Sequence, residues 1–185
     1  MSLEMRSLGI PDIKIIRPKK YNDARGFFCE TYNKKTLAAA GIELDFVQDN
    51  HSFSAKPGTI RGLHYQGRPF PQHKLVRVVS GRAWDAAVDI RRGSPTFGKW
   101  VAAEISTVEW NQILVPVGFA NAICTLEPNT EVIYKVTDFY APDVEFGIRW
   151  DDPELKIAWP VPPGEVILSD KDRALPYFKD VAHWL

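Results

Sequence analysis

Lys74-Leu75-Val76-Arg77-Val78-Val79-Ser80-Gly81-Arg82-Ala83-Trp84-Asp85-Ala86-Ala87-Val88-Asp89-Ile90 holds two short apolar runs on either side of Gly81-Arg82. Valine, leucine and isoleucine recur in Lys74 to Ser80 and again toward Ile90, a composition that suits half-buried strands. A glycine and one further residue between two such runs predict a tight hairpin. The stretch is too short and too interrupted for two helices, so it sets a β reading for its surroundings.

The pattern extends in both directions. Ile13 to Arg17 and Gly26 to Tyr32 precede it; Trp100 to Ser106, Gln112 to Val115, Ala120 to Leu126, Glu131 to Phe139 and Phe146 to Trp150 follow. Many short strands broken by turn residues predict an all-β protein, here a jelly-roll barrel of eight or more strands. The 14 prolines and 12 glycines fall mostly between the runs, where turns need them. One short helix fits Lys34 to Ala40, with Asn33 as its cap and Gly41 as its stop. From Pro160 onward the chain reads as an irregular C-terminal tail with a short final helix at most. No repeat or linker divides 1–185, so a single domain is expected. Barrels of this size hold small ligands inside.

Lys plus Arg and Asp plus Glu number 23 each. That balance supplies no long-range attraction to nucleic acid or to an anionic membrane, so neither is expected as a partner. No run approaches the roughly 20 apolar residues of a membrane span. The start of the chain lacks the basic-then-apolar order of a secretory signal. Cys29 and Cys124 lie in apolar, strand-like runs and read as buried free thiols. These features point to the cytoplasm.

The four histidines are His51, His64, His73 and His183, with no His-x-His pair. Metal-dependent barrels converge two or three histidines and a carboxylate on the ion, so no metal is expected. The richest stretch is Thr59-Ile60-Arg61-Gly62-Leu63-His64-Tyr65-Gln66. Arg61 and His64, three apart, fall on opposite faces of a regular strand. They are either a surface arginine and a core histidine or, with a bulge at Gly62, two residues of one cavity. Arg25 and Glu30 flank two phenylalanines, Gln48-Asp49-Asn50-His51 is a dense polar cluster, Lys74 heads an apolar strand, and Tyr134-Lys135 lie within another. Leu168-Ser169-Asp170-Lys171-Asp172 reads as a capped turn or as a carboxylate that orients a histidine. Together these groups suit a charged, hydroxyl-rich ligand.

An ordered set of motifs then resembles the dTDP-4-dehydrorhamnose 3,5-epimerase family. The matching runs are Arg25-Gly26-Phe27-Phe28, Phe46-Val47-Gln48-Asp49-Asn50-His51-Ser52, Arg61-Gly62-Leu63-His64, Lys74-Leu75-Val76-Arg77, Val88-Asp89-Ile90-Arg91, Ser94-Pro95-Thr96-Phe97-Gly98, Pro116-Val117-Gly118-Phe119-Ala120, Tyr134-Lys135-Val136-Thr137 and Leu168 to Asp172. The resemblance implies a cupin-type jelly roll, active without cofactor or metal as a homodimer, acting on a dTDP-linked 4-keto-6-deoxy sugar and inverting carbons 3 and 5. It implies His64 as general base with Asp172 as its partner, Tyr134 as acid on the opposite sugar face, and Lys74 on the enolate oxygen. Arg25, Glu30, Gln48, Asp49, Asn50, Arg61, Glu145 and Lys171 match substrate-contacting positions. Asn121 stands where the family commonly has a substrate-binding histidine; it can donate a neutral hydrogen bond but cannot carry a proton charge. An epimerase acting on one carbon only, a non-enzymatic sugar-nucleotide-binding barrel and a metal-dependent cupin are the competing readings.

The residue types fit the chemistry. A proton beside a ketone is on the order of ten pKa units less acidic than imidazolium, at ~1.36 kcal/mol per unit. A histidine base alone cannot cover that gap. Positive charge aimed at the enolate oxygen in a dry cavity can supply the largest share, and Lys74 carries it without a metal. Inversion also requires a proton from the far face, and a phenol holds one at neutral pH.

Overall fold

The chain is described by a computed structural model over residues 3–181. In chain order its strands are β1 (Leu3–Ser7), β2 (Lys14–Pro18), β3 (Lys20–Asp23), β4 (Gly26–Cys29), β5 (Gln48–Ser54), β6 (Ile60–Gln66), β7 (Lys74–Ser80), β8 (Arg82–Asp89), β9 (Trp100–Ser106), β10 (Gln112–Val115), β11 (Phe119–Thr125), β12 (Thr130–Val136) and β13 (Glu145–Gly147). One antiparallel sheet has the order β1-β2-β10-β7-β12-β5, a second β13-β6-β11-β8-β9, and β3 and β4 form a separate two-stranded ribbon. The two larger sheets pack face to face as the cupin-type jelly roll that the strand pattern and the resemblance lead one to expect.

Alternation explains the packing. Ile15, Val76, Val78, Ile113 and Val132 from the first sheet meet Ala83, Ala87, Ile105 and Ile123 from the second in one core. Full burial of each branched side chain contributes about 1.5–3 kcal/mol. β11 is buried along its whole length because the tail covers its outer face: Leu155, Ile157 and Phe178 pack on Leu63, Ala120 and Ala122. The helix α1 (Lys34–Ala39) covers the other sheet through Leu37, against Ile16, Leu75 and Leu114. Asn33 caps it, its side chain accepting from the Lys35 and Thr36 amides at 2.9 and 3.1 Å.

Several expectations need correction. β7 and β8 are not a hairpin: β7 pairs with β10 and β12, and β8 with β9 and β11. Gly81 carries the chain from one sheet to the other at φ 75°, where a Cβ would stand 2.5 Å from Thr130 Oγ1. β1 and β3 were not expected, because a strand exposed on both faces shows no alternation. The runs expected to reach Tyr32 and Phe139 stop at Cys29 and Val136, and the expected strand Phe146 to Trp150 becomes Glu145–Gly147. Cys124 is buried, but Cys29 is part-exposed, its sulfur accepting from Trp110 Nε1 at 3.2 Å.

Candidate active site

A cavity of about 290 Å³ opens between the sheets. Arg61 and His64 of β6 and Asn121 of β11 line one wall, and Lys74 of β7 and Tyr134 of β12 the other. Glu145 of β13 and Lys171 and Asp172 of the tail complete it. The question left open by the spacing of Arg61 and His64 resolves to a bulge. Asn121 stands opposite His64 and Ile123 opposite Arg61, so three steps along β6 match two along β11. Gly62 makes this possible. Its φ is 114°, and a Cβ there would lie 2.5 Å from the Asn121 carbonyl oxygen.

Asp172 belongs to a one-turn helix, α2 (Asp170–Arg173), capped by Ser169. The Ser169 hydroxyl accepts from the Asp172 amide at 3.1 Å and donates to Asp172 Oδ2 at 2.8 Å. Asp172 Oδ1 lies 2.6 Å from His64 Nε2. The capped turn and the orienting carboxylate are therefore one structure. Burial pushes the Asp172 carboxyl up, but the bonds from His64, Ser169 and the Gly62 amide outweigh it and hold it below the usual range. An ionised Asp172 keeps the proton of a neutral imidazole on Nε2 and leaves Nδ1 as the basic nitrogen.

The opposite wall has the complementary character. Burial raises the Tyr134 phenol, with Glu145 adding to the effect and Arg61 opposing it, so it remains protonated at neutral pH. Burial drives the Lys74 amine down to about 8, against the pull of Asp85 and Glu145. Lys74 Nζ donates to the His64 carbonyl at 3.2 Å. Glu145 is tied to Tyr140 and Lys171, whose Oη and Nζ lie 2.6 and 2.5 Å from Oε2. The cavity thus sets an imidazole held by a carboxylate against a protonated phenol on the facing sheet, with Arg61, Lys74 and Lys171 among its lining residues.

Not every expected site residue is here. Asp49 points to the outer face of β5 and binds Lys135 Nζ at 2.8 Å. Gln48 and Asn50 share the inward face without lining the cavity: Gln48 Nε2 donates to Asn50 Oδ1 at 2.9 Å, and Gln48 Oε1 accepts from the Tyr140 amide at 3.0 Å. Arg25 is exposed at the β3–β4 turn, paired with Asp23 at 2.6 Å. Glu30 lines a separate small pocket beside α1. Of the other histidines, His51 pairs with Glu131 on the surface, His73 accepts from the Val117 amide, and His183 lies outside the described residues. Among the described residues no three His, Cys, Asp or Glu side chains are grouped to hold a metal ion, and no helix is long and apolar enough to cross a membrane.

Ser52, Ile123 and Ser169 also line the cavity; Ser169 was expected only as part of the capped turn, and the other two had no expected role there. Ser52 was legible: Gln48, Asn50, Ser52 and Ser54 alternate with outward residues along β5. Asn121 also departs from expectation, because both of its amide hydrogens are occupied within the protein. Nδ2 donates to Asp85 Oδ1 at 2.6 Å and to the Ala86 carbonyl at 3.1 Å.

Residues 7–180 match the family model described as dTDP-4-dehydrorhamnose 3,5-epimerase. A Pseudomonas aeruginosa protein of that name is 49% identical over 174 residues, 94% of each chain. A crystal structure of the Bacillus anthracis enzyme of that name, with TDP and PPi bound, superposes with a TM-score of 0.91 at 47% identity and covers 95% of this chain and 99% of its own. A Legionella pneumophila dTDP-6-deoxy-D-glucose-3,5-epimerase, in complex with dTDP-4-keto-L-rhamnose, gives 0.92 at 44% identity, covering 97% and 95%.

Proposed function

The chain belongs to the dTDP-4-dehydrorhamnose 3,5-epimerase family, and from that premise we propose that it is an isomerase that inverts carbons 3 and 5 of dTDP-4-dehydro-6-deoxy-D-glucose, giving dTDP-4-dehydro-L-rhamnose. The observation that carries the reading is that His64 and Tyr134 face one cavity from opposite sheets. A sugar ring held between them exposes one face to each.

In the proposed cycle His64 Nδ1 removes the proton from a carbon beside the ketone. Asp172 stabilises the imidazolium that forms. The electron pair moves onto the ketone oxygen, where the Lys74 ammonium meets the negative charge. Tyr134 returns a proton to the same carbon from the opposite face; before the second carbon reacts, the His64 imidazolium loses its proton to solvent and the Tyr134 phenolate gains one from it. The two acidic positions flank the same ketone, so one base and one acid serve both. Positioned proton transfer of this kind contributes roughly 10²–10⁴-fold. Arg61 and Lys171 are placed for the diphosphate, to which an arginine can give paired hydrogen bonds.

The working unit is a homodimer with shared sites. Arg25 and Glu30 do not reach this chain's cavity, but their hairpin exposes Phe27 and Phe28, 53% and 69% accessible, as a surface for a second copy. The same copy would bring its own Arg25 to the nucleotide. The cytoplasm, where nucleotide sugars are made and used, is the proposed compartment. Incubation with dTDP-4-dehydro-6-deoxy-D-glucose in deuterated buffer, read by NMR, tests the reaction. Deuterium entering carbons 3 and 5 with formation of the L-sugar is expected; entry at one carbon alone, or at neither, overturns it.

A further inference from the structure

The one-turn helix that carries Asp172 departs from the usual way of starting a helix. In an ordinary capping box two bonds are exchanged. The cap hydroxyl accepts from the backbone N–H of the third helical position, and the acidic side chain of that position reaches back to the backbone N–H of the cap. Ser169 and Asp172 keep the first of these, the Asp172 amide donating to Ser169 Oγ at 3.1 Å. The second is exchanged for other partners. Asp172 Oδ1 goes to His64 Nε2 at 2.6 Å, and Oδ2 accepts from the Ser169 hydroxyl itself at 2.8 Å.

A hydroxyl has one hydrogen to donate. The Asp172 amide occupies a lone pair of Ser169 Oγ, so that hydrogen is free to point at Oδ2. Oδ2 is thereby held, and Oδ1 is the oxygen presented to the imidazole. The carboxylate is nearly enclosed, its side chain 6% accessible, so donors from Ser169, Gly62 and His64 stand in for water. A carboxylate that accepts several hydrogen bonds is stabilised as an anion and is a weaker acceptor of a proton.

We propose that Ser169 is a positioning residue for the proton transfer: its hydroxyl fixes which oxygen of Asp172 meets His64 and weakens that carboxylate as a base, so that both ring protons of the imidazolium stay on His64. The inference rests on the epimerase reading above and deepens it. In the abstraction the carbon–hydrogen bond breaks, a bond forms at Nδ1, and the Nε2 proton remains where it was. The imidazolium then gives up its new proton from Nδ1, on the cavity side, and the ring returns to the tautomer that can act again.

Ring-nitrogen NMR of His64 in the free protein tests the proposal, beside kcat/KM against pH. The neutral wild-type ring is expected to carry its proton on Nε2; a proton on Nδ1 overturns the proposal with no variant needed. Glycine is an accepted cap residue, so Ser169→Gly removes the hydroxyl with little change in Tm. The Asp172 charge, relieved of one donor, then holds the imidazolium more tightly. The midpoint of the His64 titration should move up by about half a pH unit or more, and the acid limb of kcat/KM should move with it. Ser169→Ala should give the same shift with a larger loss of Tm, and Ser169→Thr, which keeps the hydroxyl, should restore the wild-type values. Arg61, Lys74, Tyr134, Glu145 and Lys171, the other titratable groups lining the cavity, are present in every variant, so they do not account for a difference among them. A hydroxyl that only caps the helix predicts a lower Tm with the His64 titration unmoved. That outcome, or a shift in Ser169→Thr as large as in Ser169→Gly, overturns the proposal. The ring titration needs no substrate, so its failure refutes the role of Ser169 alone, whereas absence of deuterium exchange in the wild type refutes the epimerase reading.

Discussion

His64 Nε2 and Asp172 Oδ1 meet at 2.6 Å across 108 residues of chain. The contact joins β6, an inner strand of one sheet, to the tail that packs on that sheet, so the His64 imidazole is oriented by a distant segment of the chain. Three features hold it: the bulge at Gly62, the Ser169 cap and the burial of Asp172.

His64→Ala is expected to abolish deuterium exchange at both carbons, because one base serves both sides of the ketone. Binding of dTDP should change little, since the imidazole touches the reacting end. Exchange above a few per cent of the wild-type rate, with roughly 10² expected from the base, would show that a second base operates.

Asp172→Asn separates orientation from folding. The asparagine retains the Ser169 cap, so the melting temperature should move only slightly. Its amide can donate to His64 Nε2 and stabilise the wrong tautomer, moving the imidazole proton to Nδ1. A loss in kcat of roughly 10²-fold or more is expected, with KM little changed. Full activity would remove the tail carboxylate from the mechanism. Neither Asp85, bonded to Asn121, nor Asp89, bonded to Arg91, would stand ready to replace it.

Lys74 acts only as an ammonium, and burial lowers its pKa from the ordinary 10.5 to about 8. The charge is present below that value and is lost as pH rises through it. The kcat/KM profile, which reports the free enzyme, should therefore fall on its alkaline side near pH 8. Lys74→Met should lower kcat about 10²–10³-fold and flatten that limb. A limb that remains in the variant assigns it to another group.

Asp89 is a structural counterpart. It is fully buried, and although burial alone would raise its carboxyl, bonds from Arg91, Ser94 and Thr96 hold it at about 2 against an ordinary 3.8. A depressed carboxylate contributes stability that is complete above its unfolded value and disappears as pH falls through the folded one. That contribution is on the order of 2 kcal/mol. Asp89→Asn breaks a half-buried ion pair whose arginine keeps Asp12 as a partner, and should destabilise by roughly the same 2 kcal/mol, about 4–8 °C in Tm for a domain of this size. It should also weaken the dependence of Tm on acid, and an unaltered acid dependence would show that other carboxylates dominate.

What the sequence made legible follows from which physical signal each element carries. α1 has a cap, a buried face and a stop, all local, and it lies where they place it. β9 and β10 match their expected bounds because apolar runs mark strands that pack against the core, part-buried in β9 and fully buried in β10. The Gly81 turn was misread since alternation reports which face is buried, not which strand lies alongside. β5 was legible only as a polar cluster, because its inward face carries Gln48, Asn50, Ser52 and Ser54 instead of apolar core residues. His64 with Asp172 could not be paired from spacing at all. That contact depends on where the tail docks, and only the resemblance to a family pointed to it. Asp85 left a trace that went unused: a carboxylate inside an apolar run has to bond to something.

The central claim is that abstraction and return of the proton belong to different residues on opposite walls. Tyr134→Phe tests it most directly, because the change removes one hydroxyl and little volume, and the fold should survive. The measurement is NMR of dTDP-4-dehydro-6-deoxy-D-glucose incubated with this variant in deuterated buffer, following isotope content and configuration together. Abstraction by His64 needs no phenol, whereas inversion needs a proton from the far face. The account predicts deuterium entering sugar that keeps its original configuration, with the L-product falling sharply. Inversion of carbon 5 at close to the wild-type rate, or exchange and inversion declining together by one small factor, would contradict it.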